Sequence, residues 1–274
     1  MIESSLAFIA CIGYWLAPTQ ALPMECVRTQ PVSALNRPSA WFSRSPDRLA
    51  EQVRAITVKV KASYGQGSGI LIKRQGQQYT VVTNRHVLTA GTPYVIQTPD
   101  GRSHPATLVK NLNFRGNDLA MLQFRAKANY AIAPLHPNRP LLAGSPVIAA
   151  GFPLDAAPTR ASGLLITIGT ISLLPDKAFQ GGYQIGYTNL IRQGMSGGPL
   201  LNLRGEVVGI NSLHAYPLWG DPYIFQDGSK PPIAQRQTIA ASSWAVPIER
   251  VMQGQRTNDK RQKANGRRTQ ETEL

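Results

Sequence analysis

Residues 192–211 read RQGMSGGPLLNLRGEVVGIN. Two short apolar runs, GPLLN at 198–202 and VVGIN at 207–211, flank a polar interval that contains a glycine. Runs of this length, bounded by turn residues, read as β-strands rather than helix. Ser196 stands just ahead of the first run, between Gly194 and the pair Gly197-Gly198. It is either a hydroxyl presented by a tight turn for chemistry or a small residue that such a turn tolerates.

The same strand grammar extends in both directions. Upstream of a Pro-rich connector, AIAPLHPNRPLLAG, the candidate strands are ITVKV (56–60), GILIK (69–73), YTVVT (79–83), YVIQT (94–98), ATLVK (106–110) and LAMLQF (119–124). Downstream they are PVIAAG (146–151), GLLITIGTIS (163–172), YQIGY (183–187), the two runs already quoted, and SWAVP (243–247). Six strands on each side of a connector predict an all-β chain built as two antiparallel six-stranded barrels. SPDRLAEQVRAI adds one short helix, with Ser45 as N-cap, Pro46 in the first turn, and Leu49, Val53 and Ile56 on one face. IERVMQ predicts a helical turn or two at the other end. The expected domain covers 45–252, with barrels over about 50–130 and 140–247. The interval 213–241 is aromatic, Pro-rich and aperiodic, and too long for an ordinary hairpin loop.

Composition narrows the class. Hydrophobic residues make up 42% of the 274 and charged ones 16%, which fits a folded, turn-rich protein. The net charge of +14 invites nucleic acid or an anionic surface as partner. The excess is scattered, however, apart from the tail 253–274, and no nucleic-acid-binding motif accompanies it. Nucleic acid is therefore not an expected partner, whereas contact of the basic tail with anionic surfaces remains an expectation from charge alone. Leu6 to Ala17 form an apolar stretch too short for a comfortable membrane span. With Thr19-Gln20-Ala21 behind it, residues 1–21 read as a signal peptide, or as a retained anchor, and 22–44 as a leader; the first residues carry Glu3 and no basic residue, which departs from the usual pattern. Export to a periplasmic, extracellular or lumenal space follows. Cleavage after Ala21 would leave Cys26 as the lone cysteine, so no intrachain disulfide supports the fold.

A serine hydroxyl needs a general base, and the chain offers four histidines: His86, His104, His136 and His214. His86 ends an apolar run in VVTNRHVL, where a strand terminus can fix an imidazole; His104 and His136 lie in polar or Pro-rich contexts. A carboxylate is needed to hold the imidazole in the useful tautomer. Between His86 and Ser196 the only acids are Asp100, Asp118, Asp155 and Asp176, and Asp118 alone leads directly into a strongly apolar strand, in GNDLAMLQF. Each of these residues taken singly has an ordinary structural reading: a core histidine, a turn aspartate, a small turn residue.

Taken together, TNRHVL, NDLAML and GMSGGPLLN resemble the motifs of chymotrypsin-like serine peptidases of the HtrA/Deg type. GQGSGILI (65–72), AAGFP (149–153), GEVVGINS (205–212) and SSWAVPIERV (242–251) extend the resemblance over roughly Ala50 to Val251. It implies His86 as general base, Asp118 as its orienting partner, Ser196 as nucleophile, and the N–H groups of Gly194 and Ser196 as an oxyanion hole. It also implies a substrate-binding strand around Ile210, Asn211, Ser212 and Leu213, which would pair with an extended peptide. Leu190, six positions before the nucleophile, would lie at the base of the primary pocket, and a buried leucine there predicts apolar, uncharged side chains before the scissile bond.

Two departures refine the expectation. Met195 stands where digestive peptidases carry the aspartate that pairs with a newly cut N-terminus, and fewer than two dozen residues follow Val251, too few for a PDZ domain. The sequence thus predicts a bare serine endopeptidase domain acting on polypeptides, without cofactor or metal. The alternative is an inactive protein of the same fold that only binds extended peptides; a basic surface-binding protein rests on charge alone.

Overall fold

The computed structural model describes residues 45–136, 140–154, 163–217 and 222–255. The signal-peptide, leader and basic-tail expectations for 1–21, 22–44 and 256–274 lie outside those residues.

Twelve strands form two closed barrels. The first contains Thr57–Ala62 (β1), Gly65–Gln75 (β2), Gln78–Thr83 (β3), Tyr94–Gln97 (β4), Ser103–Leu108 (β5) and Ala120–Arg125 (β6), closed in the order β1-β2-β3-β6-β5-β4. The second contains Pro146–Gly151 (β7), Leu165–Leu173 (β8), Ile185–Tyr187 (β9), Pro199–Asn202 (β10), Val207–Leu213 (β11) and Ser243–Pro247 (β12), closed in the order β10-β11-β12-β9-β8-β7. Every pairing between these strands is antiparallel. All twelve expected strands are present. This is the chymotrypsin-like architecture.

The alternation of side chains explains why several strands read as unbroken apolar runs. Leu71, Val81 and Leu122 point into the first barrel, while their neighbours Ile70, Val82 and Met121 point out of it into a second core. Across that core, Ile148, Leu201 and Ile210 arrive from the second barrel, whose own interior is filled by Val147, Leu200 and Val208. Strands at the junction are therefore buried on both faces, and a period-two strand with two buried faces has no polar side.

The helix Pro46–Ile56 (α1) opens as its sequence dictates. The Ser45 side chain accepts from the Arg48 N–H at 3.4 Å, and Leu49, Val53 and Ile56 are buried. All three enter the core shared by the barrels. At the other end, helix extends from 248 through at least 255, beyond the expected domain limit at 252. A Cβ at Gly254 would meet the Phe114 ring at 2.5 Å, and Gln255 Nε2 lies 3.7 Å from Met121 Sδ, so the chain is still packed on the first barrel there. The expected tail boundary at 253 thus falls inside an ordered helix.

The described residues of the interval, 213–217 and 222–241, include several that pack on the second barrel rather than forming a free loop. Phe225 stacks on Phe179 at 4.7 Å, and Phe179 meets Trp244 edge-on at 4.9 Å. A short helix, Arg236–Ala240 (α2), inserts Ile239 into the same aromatic cluster. Among the described residues, no helix is long and apolar enough to cross a membrane.

If α1 ties the two barrels together, truncating its central contact weakens the whole domain. Leu49 is 1% exposed, so Leu49→Ala should cost about 2–5 kcal/mol, read as a lower midpoint in a denaturant titration that remains a single transition.

Candidate active site

His86 enters the site from the first barrel. β3 ends at Thr83, and one helical turn, Arg85–Leu88, follows immediately. Asn84 occupies the N-cap position without capping the turn. Its carboxamide instead donates to the Asp118 carbonyl at 2.7 Å and to Ser212 Oγ at 2.8 Å. One buried side chain thus joins the histidine turn to Asp118 and to the second barrel.

Asp118 precedes β6 and lies against the His86 turn. His86 donates to it twice, from its backbone N–H to Oδ1 at 3.0 Å and between Nδ1 and Oδ2 at 2.6 Å. The carboxylate accepts here, so Nδ1 carries a proton, and the neutral form of the ring has its lone pair on Nε2. The Asp118 side chain is 6% exposed and the imidazole 46%, so the ring leans from a buried anchor toward solvent. Burial works to raise the Asp118 pKa, but the bond and charge of His86, its backbone N–H and the Tyr183 hydroxyl together hold the carboxyl below its ordinary value.

Ser196 comes from the second barrel on a turn built by glycine and braced from behind. Met195 N–H closes on the Arg192 carbonyl at 3.0 Å, with Gly194 at φ +93° as the third residue, the arrangement of a type II turn. The Gln193 carbonyl is taken by the Leu154 N–H at 2.9 Å. A trans peptide directs its N–H opposite to its carbonyl, so the Gly194 N–H points away from Leu154. Neither the Gly194 nor the Ser196 N–H has an acceptor among the described residues. Ser68 on β2 supplies the brace: its hydroxyl donates to the Gly194 carbonyl and accepts from the Phe152 N–H, both at 2.8 Å, while its N–H donates to the Ser196 carbonyl at 2.8 Å.

The Ser196 hydroxyl donates to the Ser212 carbonyl at 3.0 Å. The register of β11 against β12 shifts between Asn211 and Leu213, and this irregularity sets Ser212 apart from the ladder.

Hydrogen bonds thus tie His86 to Asp118 and Ser196 to Ser212, and the Asn84 carboxamide links the two pairs, whereas three expectations change. Leu190 is not a buried pocket floor; it is 61% exposed, because the chain leaving β9 alternates and turns Asn189 and Ile191 inward instead. Ile210 and Asn211 offer no free strand edge, since β10 occupies one side of β11 and β12 the other. Their side chains serve the interior: Ile210 fills the shared core, and Asn211 accepts from the Tyr187 hydroxyl at 2.9 Å while donating to the Ala150 and Pro199 carbonyls. Leu213 packs in the aromatic cluster. Of that stretch, only Ser212 presents its backbone carbonyl to the Ser196 hydroxyl.

Sequence reasoning missed Tyr183, whose hydroxyl donates to Asp118 Oδ2 at 2.9 Å, and also Asn84 and Ser68. His104 lies beside Tyr130, His136 beside Glu206, and the His214 ring contacts the neighbouring Ala215 carbonyl. A depression of 360 Å³ lined by Tyr216, Tyr223, Arg236 and Ile239 shares no lining residue with the His86 cluster.

Two closed six-stranded β-barrels, with a His–Asp pair from the first and a glycine-flanked serine from the second, define the class of chymotrypsin-like peptidase folds. The trypsin-like peptidase domain family matches residues 67–210, and the chain belongs to that family. It is 34% identical over 156 residues to "Putative serine protease HhoA" of Synechocystis sp. (54% of this chain, 36% of the relative). To "Serine endoprotease DegS" of Escherichia coli strain K12 it is 32% identical over 148 residues (54% and 39%). To "Probable periplasmic serine protease do/HhoA-like" of Haemophilus influenzae it is 29% identical over 175 residues (64% and 36%). Among solved structures, the serine endoprotease from Yersinia pestis superposes with a TM-score of 0.56 at 25% identity, over 77% of this chain and 65% of that one. The chain spans less than two-fifths of the length of these curated relatives.

Two predictions follow from the geometry. A Cβ at Gly197, where φ is +87°, would lie 2.1 Å from the Ser68 carbonyl oxygen, whereas one at Gly76, φ +59°, meets nothing within 4 Å. Gly197→Ala should therefore lower the melting temperature well beyond Gly76→Ala, which bears only the backbone cost of about 1–2 kcal/mol. Because the Asp118 pKa is depressed, its contribution to stability is complete above the unfolded-state value and is lost as pH falls through the folded one. Asp118→Asn should flatten the acid limb of a stability–pH curve relative to wild type.

Proposed function

We propose that the chain is a serine endopeptidase that cleaves polypeptides through an acyl-enzyme on Ser196, with His86 as base and Asp118 as its orienting partner. The observation that carries this reading is the 2.6 Å contact between His86 Nδ1 and Asp118 Oδ2, which leaves Nε2 as a base at the barrel junction where Ser196 is displayed.

In the resting arrangement the Ser196 proton is directed at the Ser212 carbonyl. An extended substrate whose own N–H takes that acceptor releases the hydroxyl, and rotation about Cα–Cβ turns it toward His86 Nε2. Oγ then bonds to the scissile carbonyl carbon as its proton passes to Nε2. The carbonyl oxygen becomes an oxyanion, facing the N–H groups of Gly194 and Ser196. Collapse expels the amine, which takes the proton from the imidazolium, and leaves an ester on Ser196. Water, deprotonated by the same imidazole, hydrolyses the ester and restores the serine. Asp118 stabilises the transient imidazolium and remains ionised throughout.

Polypeptides are the proposed substrates because the acceptor presented to the nucleophile is a strand carbonyl, which recognises backbone and not side chain. The binding-only alternative requires a deformed oxyanion turn, and the free Gly194 N–H argues against it. Export belongs to the same proposal, supported by the apolar stretch Leu6 to Ala17 and by a relative described as periplasmic.

Ser196→Ala should abolish both casein hydrolysis and covalent labelling by a fluorophosphonate, while the melting temperature stays near that of wild type, since the side chain fills no core volume. Adding His86→Ala to that variant should cost little more, because the residues act as a unit. A Ser196→Ala protein that retained most of its turnover would refute the assignment.

A further inference from the structure

We propose that Tyr183, on the second barrel, is a positioning residue for Asp118: its hydroxyl fixes the carboxylate oxygen that faces the imidazole, so the His86–Asp118 pair is set from both barrels. The proposal rests on the peptidase reading above and concerns a contact that the sequence motifs do not contain.

Oδ2 is the crowded atom. It receives His86 Nδ1 at 2.6 Å and the Tyr183 hydroxyl at 2.9 Å, while Oδ1 receives the His86 backbone N–H. A carboxylate held only from the histidine side could swing about its Cβ–Cγ bond with the ring. The third donor comes from a different element and removes that freedom. Tyr183 can only donate in this contact: burial first, then the charge and bond of Asp118, push its hydroxyl well above its ordinary pKa, against a smaller opposing effect of Arg85.

The hydroxyl is itself held in place. The Tyr183 ring packs against both the core shared by the barrels and the aromatic cluster around Trp244. Its carbonyl accepts the Phe179 N–H at 2.9 Å, and the intervening turn grips the aspartate loop directly, since the Asp118 N–H donates to the Gly181 carbonyl at 2.7 Å. That approach needs glycine: at Gly182, φ +85°, a Cβ would stand 2.1 Å from Asn117 Oδ1. Segment 222–226 braces the turn from outside. Gln180 N–H bonds to the Ile224 carbonyl, Gln226 N–H to the Ala178 carbonyl, and Gln226 Nε2 reaches Asn117 Oδ1 at 3.3 Å. Rotamer locking by packing, plus two further points of attachment, is what a positioning contact requires.

The test is Tyr183→Phe in the full chain, which keeps the ring and removes only the hydroxyl. Tyr130→Phe serves as control, because Tyr130 also donates to a carboxylate, Asp100 Oδ2 at 3.0 Å, away from the site. Three quantities are read: kcat and KM on a fluorogenic peptide, the melting temperature, and the downfield proton resonance of the His86 Nδ1–H bonded to Asp118. Tyr183→Phe should lower kcat by about 5- to 20-fold, the scale of one charge-assisted hydrogen bond, with KM nearly unchanged, and should move the Nδ1–H resonance. Tyr130→Phe should do neither. The proposal is overturned if the Tyr183→Phe resonance and kcat match wild type, or if kcat falls only together with the melting temperature while the resonance stays in place. A wild-type chain that took no fluorophosphonate would overturn the peptidase reading instead. The resonance would still decide whether Tyr183 sets Asp118.

Discussion

The structure depends on one buried charge. Asp118 is nearly sealed from water at the junction of the barrels, and an uncompensated carboxylate there would be prohibitive. Compensation comes from three side- and main-chain donors to its oxygens and from its own backbone. Its N–H is held by Gly181 and its carbonyl by Asn84. Those partners lie on the first barrel at Asn84 and His86 and on the second at Gly181 and Tyr183. The carboxylate can be buried only where both barrels close on it, so the electrostatic requirement of the site and the packing of the domain are met by the same docking.

Much of the remaining docking surface is apolar, which is why so much of the fold was legible. Strands buried on both faces must be continuous apolar runs, and GILI, YTVV and PVIAA announce themselves as such. The start of α1 was legible because Ser45, Pro46 and the Leu49–Val53–Ile56 stripe each have a local physical meaning. Of the site, His86, Asp118 and Ser196 were legible because each borders one of those strands. Tyr183 was not: it stands 65 residues beyond Asp118, in a Gly-rich stretch where nothing local marks its partner. Asn84 and Ser68 were hidden for a similar reason, since a buried polar residue beside a strand shows its bonds only after the barrels meet.

Two of the three changed expectations, Leu190 and the Ile210–Asn211 edge, share a different cause. Leu190 was placed by counting positions from the nucleophile, and counting carries no information about which way the chain turns after β9. There Asn189 is drawn inward by the Val147 and Thr167 carbonyls, and strict alternation expels Leu190 to solvent. The edge assigned to Ile210 and Asn211 failed because β10 already fills it. Ser212, by contrast, stands outside both ladders of β11.

Met195 shows how the Ser196 turn can be held without an ion pair at that position. An aspartate at that position would need a cation delivered to it, and the turn would form only when that cation arrived. Met195 is fully buried in the core of the second barrel, and its sulfur lies 3.4 Å from the Arg192 N–H. The charge-dependent lock is replaced by apolar packing inside the barrel and by the Ser68 hydroxyl bonded to the Gly194 carbonyl from the first barrel. Neither group titrates near neutrality. The turn that presents the Gly194 N–H is therefore tied to the packing of the two barrels, so the same barrel docking that buries Asp118 also shapes the serine's surroundings.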